Sequence, residues 1–161
     1  FASAIQNVMG GSRHQLIFEP GRMIVANAGL LLTRVTTIKQ NESKRFAVVD
    51  AAMNDLIRPS LYDAWQAVSP VSNSKKSSNL WEIVGPVCES GDFLAKEREM
   101  AIEEGDLLAI LSTGAYGFVM SSNYNSRSRA PEILVRNNEH MVIRRRETIE
   151  DQLALESLIE R

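Results

Sequence analysis

The stretch TRVTTIKQNESKRFAVV, residues 33–49, decides the fold class of this chain. Residues 33–39 alternate β-branched and other side chains, and residues 45–49 form a second short run that is mostly apolar. Strands favour β-branched and aromatic residues, and a polar turn, residues 40–44, separates the two runs. The stretch therefore predicts a β-hairpin.

Further short runs follow the hairpin and are separated by glycines at 85, 91, 105, 114 and 117. Many short strands joined by turns are typical of a β-sandwich or a partly open barrel, so the chain is predicted to be mainly β. The polar, serine-rich residues 70–79 are predicted to form a mobile loop. The additional predicted strands are residues 81–88, 107–113, 118–120, 132–136 and 140–145.

The first 30 residues show a different pattern from the succession of short strands that follows. Residues 1–9 read as an amphipathic helix that the two following glycines end, residues 15–19 as a short strand, and residues 23–32 as a short helix or tight connection. A helix, a strand and a helix are what the last unit of a β/α barrel leaves behind. We therefore expect a barrel remnant at 1–30 and a β-domain at 31–161, and, because the chain opens inside a helix, a fragment of a longer protein.

A helix is predicted at the other end of the β-domain. Thr148 and Asp151 have the spacing of a capping box, and apolar residues from Ile149 to Ile159 supply one face. The arginines at 144–146 are interpreted as a solvated strand edge rather than a nucleic-acid patch.

Composition narrows the class of protein. The 161 residues are 44% hydrophobic and 24% charged with a net charge of −2, which is ordinary for a soluble protein and gives no reason to expect nucleic acid or membrane as a partner. Cys88 is the single cysteine, so an internal disulfide is excluded and a reducing, cytoplasmic setting is expected. His14 and His140 are far apart, and no metal site is predicted.

Two segments suggest anion binding. In Glu19-Pro20-Gly21-Arg22, a turn exposes backbone N–H groups beside a guanidinium at the start of a helix. Spacing alone favours the simpler alternative, a plain turn with a surface ion pair. In the second segment, Arg58 and Tyr62 lie four residues apart, and Pro59 predicts an extended Arg58 in an ordered loop. Such loops bind carboxylates, although a lone surface arginine is commoner.

Two further segments carry reactive side chains. Cys88 and Glu89 begin the turn CESGD, where a thiol beside a carboxylate is predicted to face a cleft and act as a proton donor or nucleophile. The alternative is a buried, inert cysteine. Tyr116 stands in Gly-Ala-Tyr-Gly, where small neighbours let a backbone approach a ligand. The alternative there is a β-bulge with a packed tyrosine, and packing is the favoured interpretation for Tyr124.

Taken in order, four motifs resemble one family. EPGR (19–22), MNDLIRPSLY (53–62), GPVCESGDFLAKER (85–98) and GAYGFVMSSNYNSR (114–127) are similar to diaminopimelate decarboxylases, relatives of the eukaryotic-type ornithine and arginine decarboxylases. The resemblance runs from about residue 19 to residue 150. Ser128 stands where the family usually has proline, a departure that does not touch the chemistry.

The resemblance implies a fold and a reaction. The family has a β/α barrel that holds pyridoxal phosphate, followed by a Greek-key β-domain like the C-terminal domain of alanine racemase. Its enzymes decarboxylate meso-2,6-diaminopimelate to L-lysine and CO2. The lysine that holds the cofactor belongs to the barrel, and none of the lysines here (Lys39, Lys44, Lys75, Lys76 and Lys96) lies in that motif. The fragment alone is therefore expected to be inactive.

The resemblance also implies roles for cofactor-binding residues. Glu19 would face the pyridine nitrogen, Gly21 and Arg22 would contact the phosphate, and Tyr116 would lie beside cofactor and substrate, as would Arg22.

Substrate and proton transfer would fall to the remaining residues. Arg58 and Tyr62 would hold a substrate carboxylate, Glu89 would bind the distal ammonium group, and Cys88 would protonate the decarboxylated carbon. In the family Cys88 and Glu89 reach the partner subunit's site, which implies a homodimer with shared active sites. The alternatives are a decarboxylase of ornithine, arginine or carboxynorspermidine, or a non-catalytic β-domain that acts as a binding module.

Overall fold

The computed structural model describes residues 2–72 and 77–159. Strands dominate the described part of the chain, and the helices in it are short. The strands are β1 Leu30–Gln40, β2 Arg45–Val49, β3 Val68–Pro70, β4 Asn79–Val84, β5 Phe93–Met100, β6 Leu107–Leu111, β7 Glu132–Arg136 and β8 Glu139–Arg144, and the helices are α1 Ala2–Met9, α2 Arg22–Val25, α3 Arg58–Tyr62 and α4 Ile149–Leu153. The predicted mainly β class is confirmed.

Six strands form one curved sheet in the order β3-β6-β1-β2-β4-β5. Its neighbours are antiparallel except β2 and β4, which run parallel. The edge strands β3 and β5 contact each other, so the sheet curls into a nearly closed barrel. Strands β7 and β8 form a separate two-stranded hairpin.

The hairpin that the opening stretch predicts is confirmed. β1 pairs with β2 from Gln40 opposite Arg45 to Val35 opposite Val49, with a β-bulge between Val35 and Thr37. The bulge adds local twist, which bends β1 and helps the sheet close.

The apolar core lies inside the curved sheet. Each fully buried Leu, Ile or Val contributes roughly 1.5–3 kcal/mol relative to an exposed one, so these side chains hold the barrel together. The indole N–H of Trp81 is also satisfied, because it donates to the Met100 carbonyl at 2.9 Å. The largest fully buried side chains of the core are Val35, Val49, Leu56, Ile83, Leu94, Leu108 and Ile110.

The N-terminal predictions are partly wrong. The helix at 2–9 is confirmed, whereas residue 1 lies outside the described residues. Residues 15–19 form no strand, because no described strand pairs with them, and Ile17 is 80% exposed. The helical connection is confirmed for Arg22–Ala28, but Leu30 to Leu32 begin β1 instead of ending that connection. The division of the chain after residue 30 stays a prediction.

Two of the predicted strands need correction. Residues 118–120 form a 3₁₀ turn, and residues 85–88 form a turn after β4 ends at Val84. Strands β3 and β5 were not predicted. β5 lies at the sheet edge and carries the charged run Lys96 to Glu99, which hides the apolar pattern, while β3 has only three residues and ends in Pro70.

Two predictions about local conformation also differ from the structure. Arg58 begins helix α3 instead of extending, because Pro59 occupies the first helical turn, where its missing N–H is harmless. The capping box of Thr148 and Asp151 is confirmed, but α4 ends at Leu153 and Leu155 is 99% exposed. Residues 73–76 of the predicted mobile loop lie outside the described residues. No described helix has the length and apolarity needed to span a membrane.

Candidate active site

Two turns dock against each other at one end of the sheet. The N–H groups of Thr113 and Gly114 donate to the carbonyls of Gly29 and Ala26, each at 3.0 Å. A Cβ on Gly114 would lie 2.1 Å from the Val25 carbonyl oxygen, so only glycine permits this approach. This contact places the turn before α2, residues 19–21, close to the Gly-Ala-Tyr-Gly segment, residues 114–117.

Tyr116 is the candidate site residue that this docking positions. Its backbone is left-handed at φ 58°, a conformation that non-glycine residues hold only when their surroundings impose it. A Cβ on Gly21 would lie 3.1 Å from the Tyr116 hydroxyl. The structure thus brings Gly21 close to Tyr116. The two residues are 95 positions apart in the sequence, one before and one after the strands of the six-stranded sheet.

Arg58 joins the same group. Its guanidinium carbon lies 5.2 Å from the ring centre of Tyr62 and 5.5 Å from that of Tyr116, which are cation–π distances. The Arg58 Nε is buried and has no acceptor among the described residues. A buried guanidinium N–H without an acceptor is costly on its own, so this arrangement suits an incoming carboxylate. We call Gly21, Arg58, Tyr62 and Tyr116 the Arg58 group.

Glu19 and Arg22 flank the turn at Gly21, and both are exposed. In the described part of the chain no ion pair joins them, so the surface ion pair considered from spacing is absent. Both charges are accessible to a ligand at this turn.

The second group lies on the turn after β4. Cys88 is exposed, which rules out the buried, inert cysteine considered from the sequence. Behind it the Asp92 side chain is only 3% exposed and accepts the N–H groups of Met53 at 2.7 Å and Val87 at 2.8 Å. A Cβ on Gly85 would lie 2.3 Å from an Asp92 oxygen, so the turn closes tightly over this carboxylate. The backbone before Cys88 is thereby anchored while the thiol stays exposed.

Glu89 presents an ionised carboxylate next to the thiol. Oε1 accepts the Gly91 N–H and the Ser90 hydroxyl, each at 3.2 Å, and the Tyr124 hydroxyl lies 3.4 Å from Oε2. These donors, the Gly91 N–H first, lower the pKa of Glu89 below its ordinary value. An exposed anion of this kind suits a cationic group. We call Cys88, Glu89 and Tyr124 the Cys88 group.

Tyr124 is a candidate site residue that the sequence did not reveal. The packed tyrosine favoured from the sequence is wrong, because the side chain is 48% exposed and its hydroxyl faces Glu89. The contact joins residues 35 positions apart, so no local pattern reveals it. One local signal is Asn125, a residue type tolerant of the left-handed conformation that it adopts here at φ 58°.

Among the described residues, no hydrogen bond, ion pair or cation–π contact joins the two groups. Glu89 contacts Ser90, Gly91 and Tyr124, whereas Arg58 contacts the Tyr62 and Tyr116 rings. One group suits a carboxylate, and the other offers an anion beside a thiol. Among the described residues there is also no cluster of three or more His, Cys, Asp or Glu that would hold a metal ion.

The sequence and the fold of this chain are both similar to those of known decarboxylases. Diaminopimelate decarboxylase of Pseudomonas fluorescens is 56% identical over 159 residues, which is 99% of this chain and 38% of the relative. The structure of diaminopimelate decarboxylase from Helicobacter pylori complexed with L-lysine has a TM-score of 0.82 and 44% identity, covering 96% of this chain and 38% of that one. The M. jannaschii enzyme in co-complex with L-lysine has a TM-score of 0.87 and 37% identity, with 98% and 38% coverage.

The chain thus spans about 38% of the length of the curated relatives it matches. A family model described as the C-terminal sheet domain of pyridoxal-dependent decarboxylases matches residues 22–114, more than half of the chain. This protein belongs to the family of pyridoxal-dependent decarboxylases.

Proposed function

We propose that this chain supplies the C-terminal part of an enzyme that decarboxylates meso-2,6-diaminopimelate to L-lysine and CO2. The observation that carries the proposal is the Arg58 guanidinium, which lies between two tyrosine rings with a buried Nε that lacks an acceptor among the described residues. A planar fork in this setting binds a carboxylate in two places, which a lysine ammonium does not. Tyr62 is 58% exposed in the same group and is assigned to orient that carboxylate.

The turn at Gly21 suits an anionic cofactor, pyridoxal phosphate. It combines the Tyr116 hydroxyl with an Arg22 guanidinium that makes no ion pair with a described residue. When bound, the cofactor withdraws electrons from the carbon that loses CO2, provided its pyridine nitrogen stays protonated. Glu19 is the carboxylate assigned to that nitrogen, while Gly21 and Arg22 are assigned to the phosphate. Arg22 and Tyr116 also border the substrate.

Cys88 and Glu89 complete the reaction. Cys88 is exposed on an anchored turn, and its thiol donates the proton that the carbon needs after CO2 has left. The ionised Glu89 beside it binds the ammonium group at the far end of the substrate. Diaminopimelate carries both an ammonium and a carboxylate at that end, so it uses Glu89 and Arg58 together.

The proposed enzyme is a homodimer in which each active site uses both chains. Cys88 is exposed, and no hydrogen bond or ring contact among the described residues joins the Cys88 group to the Arg58 group of its own chain, which supports this arrangement. A two-fold axis then places each Cys88 group at the partner's Arg58 group. The exposed free thiol also favours a reducing compartment, and we propose the cytoplasm.

Two of the described lysines, Lys44 and Lys96, are engaged in ion pairs and are therefore poorly suited to hold the cofactor covalently. Lys44 contacts the buried Glu82 at 2.5 Å, and that hydrogen bond raises its pKa, which keeps the amine charged. Lys96 pairs with Asp63 at 2.9 Å. We therefore propose that these 161 residues alone do not turn over, and a borohydride-reduced cofactor adduct at near-stoichiometric yield would contradict this.

The test is substrate preference in the full-length protein. We expect lysine and CO2 from meso-diaminopimelate with a kcat/KM at least about a hundredfold above those for ornithine and arginine, because a site built for a distal carboxylate leaves its polar groups unpaired with substrates that lack one. Radiolabelled CO2 release measures all three substrates in parallel. A preference for ornithine or arginine would reject the assignment.

A further inference from the structure

The contact between Tyr124 and Glu89 extends beyond the residues assigned so far. The Tyr124 hydroxyl lies 3.4 Å from Glu89 Oε2, while Oε1 is held by the neighbouring Ser90 and Gly91. Among the described residues, the phenol is the partner of Oε2. A carboxylate with one oxygen held locally still rotates, whereas a donor on the second oxygen fixes its plane.

The turn that carries Tyr124 is held firmly enough to position a side chain. Asn125 and Ser126 both have positive φ, at 58° and 54°, and such backbone persists only where the surroundings impose it. Arg127 imposes it, because its Nε donates to Asn54 Oδ1 at 2.9 Å and its Nη2 donates to the Asp50 carbonyl at 2.6 Å. The Asn123 side chain adds a bond to the Arg127 carbonyl at 3.1 Å.

Asn54 connects this turn to the domain formed by the six-stranded sheet. It is 1% exposed. Its backbone carbonyl accepts the Ser122 N–H at 2.9 Å, and its side-chain amide donates to the Ser122 backbone carbonyl at 3.3 Å. These bonds fix both ends of the segment from Ser122 to Arg127. The phenol between them is directed outward, away from the core, at Glu89.

We propose that Tyr124 is a positioning residue, whose hydroxyl holds the Glu89 carboxylate in the orientation that receives the distal ammonium group of the substrate. The inference rests on the proposed function of Glu89. Tyr124 acts on binding and not on proton transfer, because its side-chain hydrogen bond among the described residues goes to Glu89 and not to Cys88 or the Arg58 group.

The experiment removes one hydroxyl in the full-length enzyme. Tyr124→Phe keeps the exposed ring, and we expect the KM for meso-diaminopimelate to rise about fivefold while kcat stays within about twofold, as for loss of one solvent-accessible hydrogen bond. In a Glu89→Gln background the same change adds nothing, because the group that Tyr124 positions is already gone. Ser69→Ala removes a hydroxyl that contacts the Pro70 carbonyl on β3 and serves as the matched control with unchanged KM.

An unchanged KM in Tyr124→Phe contradicts the inference, and so does an equal rise in both backgrounds. A wild-type enzyme that does not use diaminopimelate rejects the proposed function instead, and a carboxyl titration by NMR then decides the role of Tyr124. The pKa of Glu89 is lowered first by the Gly91 N–H and also by the Tyr124 hydroxyl. Tyr124→Phe must therefore raise that pKa, and an unchanged value contradicts the positioning role.

Discussion

The Arg58 group and the Cys88 group are built in opposite ways. In the first, the functional group itself is confined, since the Arg58 guanidinium lies between two rings and its Nε is buried. In the second, the support is confined and the thiol is exposed, since Asp92 is buried behind an exposed Cys88. A confined cation suits binding within its own chain, and an exposed thiol on a rigid turn suits delivery to another. The difference favours active sites assembled from two chains.

Subunit mixing tests that conclusion with the largest expected effect. In the full-length enzyme, Cys88→Ala and Arg58→Ala should each lower kcat/KM by about a hundredfold or more, through loss of the proton donor and of the carboxylate anchor. Co-expression of the two variants should restore about a quarter of wild-type activity, because half of the dimers are mixed and one of their two sites is intact. Steady-state lysine formation measures the recovery.

The control for mixing is the double variant Cys88→Ala/Arg58→Ala, co-expressed with wild type. If sites are shared, both sites of each mixed dimer lose one group, and only the wild-type homodimers, again about a quarter of the total, contribute activity. Mixed dimers that keep one active site in this control, or no recovery in the first experiment, would mean that each chain builds its own site.

The anchoring of the Cys88 turn is the next difference to test. Asp92→Asn replaces a buried oxygen that accepts an N–H with an amide that donates, so one of the bonds from Met53 and Val87 is lost. We expect the free energy of unfolding to fall by about 1.5–3 kcal/mol, the range for a hydrogen bond to a charged group. Urea denaturation of this chain measures the change.

Asp63→Asn is the matched control for Asp92→Asn. Its carboxylate is 84% exposed and pairs with Lys96, and such surface pairs contribute little. If the two substitutions destabilise the chain equally, Asp92 is not the anchor of the turn.

The sequence predicted the strands whose side chains alternate without interference. The apolar and β-branched residues of β1, β2 and β6 to β8 predict these strands. The charged run of β5 hides its strand pattern, and those charges are accommodated because β5 lies at the sheet edge. Arg58 was predicted to be extended from Pro59 alone, but a proline in the first turn of a helix loses no hydrogen bond, so α3 forms.

The residues of the candidate site also differ in whether the local sequence reveals them. Family motifs picked out Arg58, Cys88 and Glu89, but Asp92 and Tyr124 were not assigned roles. The bond from Met53 to Asp92 spans 39 positions, and the contact of Tyr124 with Glu89 spans 35. Such contacts depend on how β4, β5 and the following turns pack in three dimensions, and no periodic pattern in the chain encodes them.

A smaller effect should come from keeping the charge of Arg58 and changing its shape. Arg58→Lys in the full-length enzyme removes the planar fork between the Tyr62 and Tyr116 rings, so a carboxylate loses one of its two hydrogen bonds. We expect KM for diaminopimelate to rise about tenfold with a smaller change in kcat, because the lost contact is made by bound substrate as well as at the transition state. Arg144→Lys is the control: Arg144 also stacks on a ring, at 4.6 Å from Phe118, but it pairs with Glu132 outside the site and should leave KM unchanged. Equal KM values for the Arg58→Lys variant and wild type would show that the confined guanidinium is a structural contact, and the contrast between the two groups would then no longer distinguish substrate binding from proton delivery.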